Sequence, residues 1–183
     1  DFEFIENVQF SDEGIFKDDE LFEFWFKLIP WEDIAIQESE LALILTEIIR
    51  EKKAIIFNPA YTLMFQSKGF MKILWDLYPN HPLLLETSFE PLYGKKQVEK
   101  RCFGREGANT KIINSDGSID TQTDGSYEGH KAIYQEFVEF PKDSNGNYYQ
   151  AGVFYSYEGA GLGFRRGGKI LNNMSKFVGH IIK

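Results

Sequence analysis

Near Glu86 the spacing of apolar residues changes from threes and fours to twos, and that switch limits the folds open to a chain of this length. Ahead of it, "DDELFEFWFKLIPWEDI" places Leu21, Phe22, Trp25, Phe26 and Ile29 on helical spacing, with Pro30 ending or kinking the run. "SELALILTEIIREKK" predicts a helix with Ser39 as N-cap and basic residues in its last turn. "AIIFNPAYT" reads as a short buried strand. "SKGFMKILWDLYPNHP" reads as a helix capped by Ser67, stopped by Pro79 and striped by Phe70, Ile73, Leu74 and Leu77. The opening "DFEFIENVQFSDEGIF" alternates apolar and acidic residues and turns at Asp12-Glu13-Gly14, as a short strand or arm would. Beyond Glu86, "VEKRCF", "KAIYQEFVEF" and "YYQAGVFYSYEGAGLGFRR" predict strands, the last two joined through "DSNGN". "NTKIINSDGSIDTQT" predicts a hairpin around Ser115-Asp116-Gly117. The expected class is α+β: a mainly helical part, about 1–85, packed on a mainly antiparallel sheet, about 86–183, in one domain without a linker.

A formal net charge of −8 argues against a broad nucleic-acid footprint, so any anionic ligand must be met by a local cluster of cations. Cys102 is the single cysteine, which excludes a disulfide framework and fits a reducing, cytoplasmic setting. No stretch is long and apolar enough to span a membrane. The acidic start is not a signal peptide, and a first residue of Asp rather than Met is read as a fragment or processed piece.

"EKRCFGREGAN" at 99–109 concentrates positive charge and glycine within an acidic chain. Gly104 and Gly107 allow close backbone approach to a ligand. Arg105 supplies a planar two-pronged donor, and Lys100 a point charge suited to a phosphate oxygen. By spacing alone the segment is either a glycine turn with solvated basic residues or a loop that holds an anion, and it is not a Walker loop. Gln135 and Glu136 interrupt the apolar strand "IYQEFVEFP", which reads as a half-buried strand or as a hinge whose backbone meets an adenine edge while Phe137 and Val138 wall the base. The segments at 104–109 and 122–131 carry few apolar anchors and are expected to be mobile without ligand. Gly-Ala-Gly-Leu-Gly at 159–163 opens no helix and is not a dinucleotide fingerprint, and His81, His130 and His180 have no zinc spacing.

Taken in order, "LIPWEDI", "PNHPLLL", "EKRCFGREGANTKII", "IYQEFVEFP" and "GAGLGFRRGGKILNNMSKFVGHII" resemble the C-terminal part of the glutathionylspermidine synthase family, from about Leu28 to the end. The resemblance implies an ATP-grasp fold with ATP between two antiparallel sheets. It implies that Lys68 contacts ATP and that Lys100 binds phosphate. Gly104, Arg105, Glu106 and Gly107 correspond to the loop that closes over the phosphates, with Arg105 catalytic, and Gln135, Glu136, Phe137 and Val138 to the adenine hinge. Gln150, Lys169, Ile170 and Leu171 correspond to further nucleotide contacts. Read from position alone, Lys68 is equally an exposed first-turn lysine, and Arg101 replaces a proline of the family pattern.

The implied activity is that of an ATP-dependent carboxylate–amine ligase working through an acyl phosphate, with a glutathione-like peptide as acid and a polyamine as amine. No stretch among residues 1–27 matches the family's magnesium ligands. They are expected upstream, no metal-binding residue is assigned here, and these residues alone are expected to be inactive. The alternative is a non-catalytic nucleotide-binding or interaction module built on the same fold.

Overall fold

A computed structural model describes residues 3–181. Asp1 and Phe2, where the expected opening strand begins, lie outside the described residues, as do the last two residues of the resemblance, Ile182 and Lys183. The chain divides into two compact units, Asp1–Gln66 and Ser67–Lys183. The boundary falls ahead of the change of period at Glu86.

The first unit is mixed rather than mainly helical. Strands β1 (Gln9–Ser11), β2 (Gly14–Lys17) and β3 (Glu20–Phe22) form an antiparallel meander with two-residue turns. The second turn, Asp18-Asp19, has φ of 49° and 64° at its two residues. This left-handed geometry matches strand twist, and short acidic side chains tolerate it. The helix expected over Leu21–Ile29 is therefore absent. Leu21 and Phe22 belong to β3, while β4 (Phe24–Phe26) pairs in parallel with β5 (Ile55–Phe57). Aromatic residues favour strands, and pairing with a segment some thirty residues away overrides the local helical spacing. Within β5 only Ile56 is buried, and Ile55 and Phe57 are exposed.

Helix α1 (Trp31–Gln37) starts directly after Pro30, with Glu32 and Asp33 in its first turn. Helix α2 (Ser39–Arg50) begins one residue earlier than expected: Glu38 occupies the cap position and Ser39 is already helical. A short helix, α3 (Thr62–Gln66), closes the unit. The core is Ile15, Trp31, Ile34, Leu45, Ile48, Ala54 and Ile56. Ile48 is fully buried, so Ile48→Val should cost about 1 kcal/mol, read as a lower denaturant midpoint at unchanged slope.

In the second unit, helix α4 (Gly69–Leu77) precedes a five-stranded antiparallel sheet ordered β6 (Thr87–Ser88), β10 (Ala132–Glu136), β7 (Gln97–Arg101), β8 (Lys111–Ile113), β9 (Ile119–Gln122). Lys68 stands at the cap position of α4, while the Ser67 hydroxyl accepts the Gly69 N–H at 3.2 Å. Ile73 and Leu77 of the expected stripe are exposed. A second antiparallel sheet is ordered β11 (Tyr148–Ser156), β12 (Glu158–Gly167), β13 (Lys176–Val178). The run expected as one strand over 148–166 is thus a hairpin turning at Tyr157, whose φ is 63°. The α+β class and the antiparallel character of the later residues hold. No helix among the described residues is long and apolar enough to cross a membrane.

Candidate functional site

Within the second unit, a cavity of about 340 Å³ lies between the two sheets. Val98 and Lys100 of β7, Ile112 of β8 and Gln135 of β10 line one side. Tyr148 and Gln150 of β11 and Arg165 of β12 line the other. The register explains the first wall: Val98 lies opposite both Gln135 and Ile112, and Lys100 opposite Ile133, so these side chains share one face of the pleat. Every site residue expected from the sequence borders this cavity: Lys68, Lys100, Gly104, Arg105, Gly107, Gln135, Glu136, Phe137, Val138, Gln150, Lys169, Ile170 and Leu171.

Two of the lysines that line it, Lys68 and Lys100, are desolvated. The Lys100 ammonium donates to Gln135 Oε1 at 2.7 Å, and Gln135 Nε2 donates to the Thr87 hydroxyl at 3.0 Å. Lys68 arrives from the other direction: its N–H donates to the Cys102 carbonyl at 2.7 Å, fixing the start of α4 to the end of β7, and its ammonium donates to the Gly104 carbonyl. Neither ammonium meets a carboxylate among the described residues. Burial, with the Lys68 charge adding to it, pushes Lys100 down to about 8, and burial also lowers Lys68.

That shift has a measurable sign. Between about pH 8 and 10.5 the unfolded chain holds a proton at Lys100 that the folded chain has released. The Lys100 contribution to stability therefore rises with pH across that window, and the penalty is largest below pH 8. Unfolding titrations of the wild type and Lys100→Met should converge as pH climbs through it.

The loop from Gly104 to Asn109 is built around close backbone contact. Gly107 has φ +71°, and a Cβ there would lie 2.2 Å from the Leu171 carbonyl oxygen. Across the loop, the Thr123 hydroxyl donates to the Gly107 carbonyl at 2.5 Å, and the Tyr127 N–H donates to Asn109 Oδ1 at 2.7 Å. The segments expected to be mobile are thus hydrogen-bonded to one another. Among the described residues, no acceptor meets the N–H groups of Glu106 and Gly107. At the hinge, the Glu136 N–H is taken by the Glu86 carbonyl at 2.8 Å and the Phe137 N–H by the Lys96 carbonyl at 3.0 Å. The next N–H, of Val138, has no acceptor among the described residues.

Arg165 and Tyr148 line the cavity but were not anticipated from the sequence. Arg165 sits opposite Gln150 in the β11–β12 ladder, so the signal was the register of a hairpin whose sequence pattern reads as one continuous strand. Two of the histidines pack against aromatic rings, His130 against Phe103 and Tyr127 and His180 against Phe164, while exposed His81 accepts the Leu83 N–H at Nδ1 at 3.2 Å. Among the described residues no three His, Cys, Asp or Glu side chains gather as a metal site would need.

Two antiparallel sheets around a cavity with paired, desolvated lysines and unspent backbone donors define an α+β protein equipped to receive an anionic ligand. The family model described as glutathionylspermidine synthase preATP-grasp matches residues 1–183, and the chain belongs to that family. The Escherichia coli bifunctional glutathionylspermidine synthetase/amidase is 29% identical over 120 residues, covering 64% of this chain and 19% of the relative. A putative acid–amine ligase of Haemophilus influenzae is 30% identical over 132 residues, covering 67% and 32% respectively. The trypanothione synthetase of Crithidia fasciculata is 26% identical over 91 residues, covering 48% and 14%. The chain spans a third or less of the length of each of these relatives.

Proposed function

We propose that this chain is the nucleotide-binding portion of an ATP-dependent carboxylate–amine ligase of the glutathionylspermidine synthase kind. The observation that carries the reading is the convergence of the Lys68 and Lys100 ammoniums on one cavity without a carboxylate beside either of them. Desolvated cations facing a cavity are costly in the free protein, and an anionic ligand offsets that cost.

In this reading the phosphates lie against Lys68, Lys100 and the N–H groups of Glu106 and Gly107. Arg105 stabilises charge on the phosphoryl group as it transfers. The adenine edge meets the hinge from Gln135 to Val138, with the Val138 N–H as its donor and Phe137 and Val138 as walls. Gln150, Lys169, Ile170 and Leu171 close the opposite side. A substrate carboxylate attacks the γ-phosphorus, releasing ADP and an acyl phosphate. An amine then attacks the acyl carbon and expels phosphate. Such chemistry rests on positioning and charge neutralisation rather than on a protein nucleophile. A glutathione-like peptide and a polyamine are the acid and amine this reading assigns. No magnesium ligand is assigned among the described residues, and the role given to them is confined to holding nucleotide and stabilising phosphoryl charge.

Calorimetric titration with ADP should give a Kd of about 0.1–1 mM. The 183 residues alone should form no amide from ATP, glutathione and spermidine. Absence of ADP binding at several times that concentration would overturn the reading. Amide formation by these residues alone would show that the whole active site lies within them. A full-length protein that binds ADP but turns over no ATP with both substrates would reduce the function to nucleotide binding.

A further inference from the structure

The ladder between β8 and β9 carries one extra residue. Ile112 pairs with Thr121 and Ile113 with Ile119, so Asp120 has no partner across the strand. A bulge of this kind re-aims a side chain, and bulges concentrate beside functional sites. Here the aim is specific. A single oxygen, Asp120 Oδ2, accepts from Lys169 Nζ at 2.5 Å and from Lys96 Nζ at 2.7 Å. Both ammoniums face the Phe137 ring, Lys96 at 4.7 Å and Lys169 at 5.7 Å from its centre. Lys169 belongs to the connection between β12 and β13 and borders the cavity, whereas Asp120 and Lys96 belong to the five-stranded sheet and the segment leading into it.

We infer that Asp120 is a positioning residue of the nucleotide cavity: from its bulge it holds Lys169 against Phe137, at the base end of the cavity, and ties the smaller sheet to the larger one there. This rests on the nucleotide reading above. Held in this way, Lys169 serves the base end, and the phosphate end is left to Lys68 and Lys100. Releasing Lys169 removes order from the base end and frees a cation for the phosphates, so the two ends of a nucleotide should respond differently.

The test compares adenosine, which carries no phosphate, with inorganic tripolyphosphate, which carries no base, on wild type, Asp120→Asn, Asp120→Glu and Lys169→Met. Asp120→Asn should weaken adenosine about five-fold, the scale of a partly exposed ion pair. Tripolyphosphate affinity should stay unchanged or tighten. Asp120→Glu should recover most of the adenosine loss, and in the Lys169→Met background Asp120→Asn should have no further effect. Lysine side-chain NMR gives a readout independent of any ligand: Lys169, which Asp120 raises above the ordinary lysine range, should return to that range in Asp120→Asn. If that variant does not fold, adenosine alone is titrated into wild type in about 1 M salt, where screening falls to about 3 Å; the uncharged ligand should weaken as it does in Asp120→Asn, and an unchanged affinity counts against the positioning role. An unchanged Lys169 titration, or equal weakening of adenosine and tripolyphosphate, overturns the positioning role. Failure of wild type to bind ADP overturns the nucleotide reading, and the Lys169 titration then decides the ion-pair contact by itself.

Discussion

Lys100→Met should stabilise the unliganded protein and weaken ADP binding at least ten-fold. Lys100 sits on a central strand, between β10 and β8, with its charge desolvated and the Lys68 ammonium close enough to lower its pKa further. Methionine fills a similar volume without charge, so the desolvation penalty disappears. Against that gain stands Gln135 Oε1, which loses its donor in a buried position. The balance should favour the variant by about 1–2 kcal/mol at pH 7, read as a higher denaturant midpoint. ADP affinity should fall by about ten- to a hundred-fold, the scale of a charge-assisted hydrogen bond, and so pass out of calorimetric range. A variant that is less stable than wild type would make Lys100 a structural residue. One that binds ADP normally would place the phosphates elsewhere.

The second large effect is expected at Gly107. Its φ is +71°, and an added methyl carbon would stand only 2.2 Å from the Leu171 carbonyl oxygen. The closest conflict is with a backbone oxygen, so no side-chain rotation relieves it. Gly107→Ala should therefore push the loop away from the 169–171 segment, cost about 2–3 kcal/mol and weaken ADP binding at least ten-fold. Gly117→Ala is the control. Its φ is +87°, but nothing lies within 4 Å of the added carbon, so it should cost only the conformational part, about 1 kcal/mol, and leave ADP affinity unchanged. Equal losses in the two variants would mean that the approach of Gly107 to Leu171 carries no weight.

Local chemistry explains which parts of the fold were legible. Asp116-Gly117 makes its hairpin from short-range contacts alone: the Ser118 N–H bonds to Asp116 Oδ1 at 2.9 Å, and the Asn114 N–H to the Ser118 carbonyl at 2.8 Å. Helix α2 was legible because a long amphipathic run needs only one buried face, here Leu45 and Ile48. Leu21 to Ile29 was misleading because its apolar spacing satisfies a helix and a strand alike, and the parallel partner that decides between them, Ile55–Phe57, lies far along the chain. The candidate site was visible as residue types: a lysine and an arginine among glycines, and a polar pair inside an apolar strand.

By itself, the sequence determined the α+β class, the turn at Asp116-Gly117 and the clustering of basic residues with glycine at 99–109 of an acidic chain, because each depends on composition or on neighbours a few positions apart. Only the tertiary structure decided that α4 joins the second unit, that β4 pairs in parallel with β5, that Arg165 faces the same cavity as Lys100, and that a bulge turns Asp120 toward Lys96 and Lys169. Those outcomes depend on strand order and register, set by packing between segments distant in sequence, and a one-residue change of register would send each of these side chains to the opposite face.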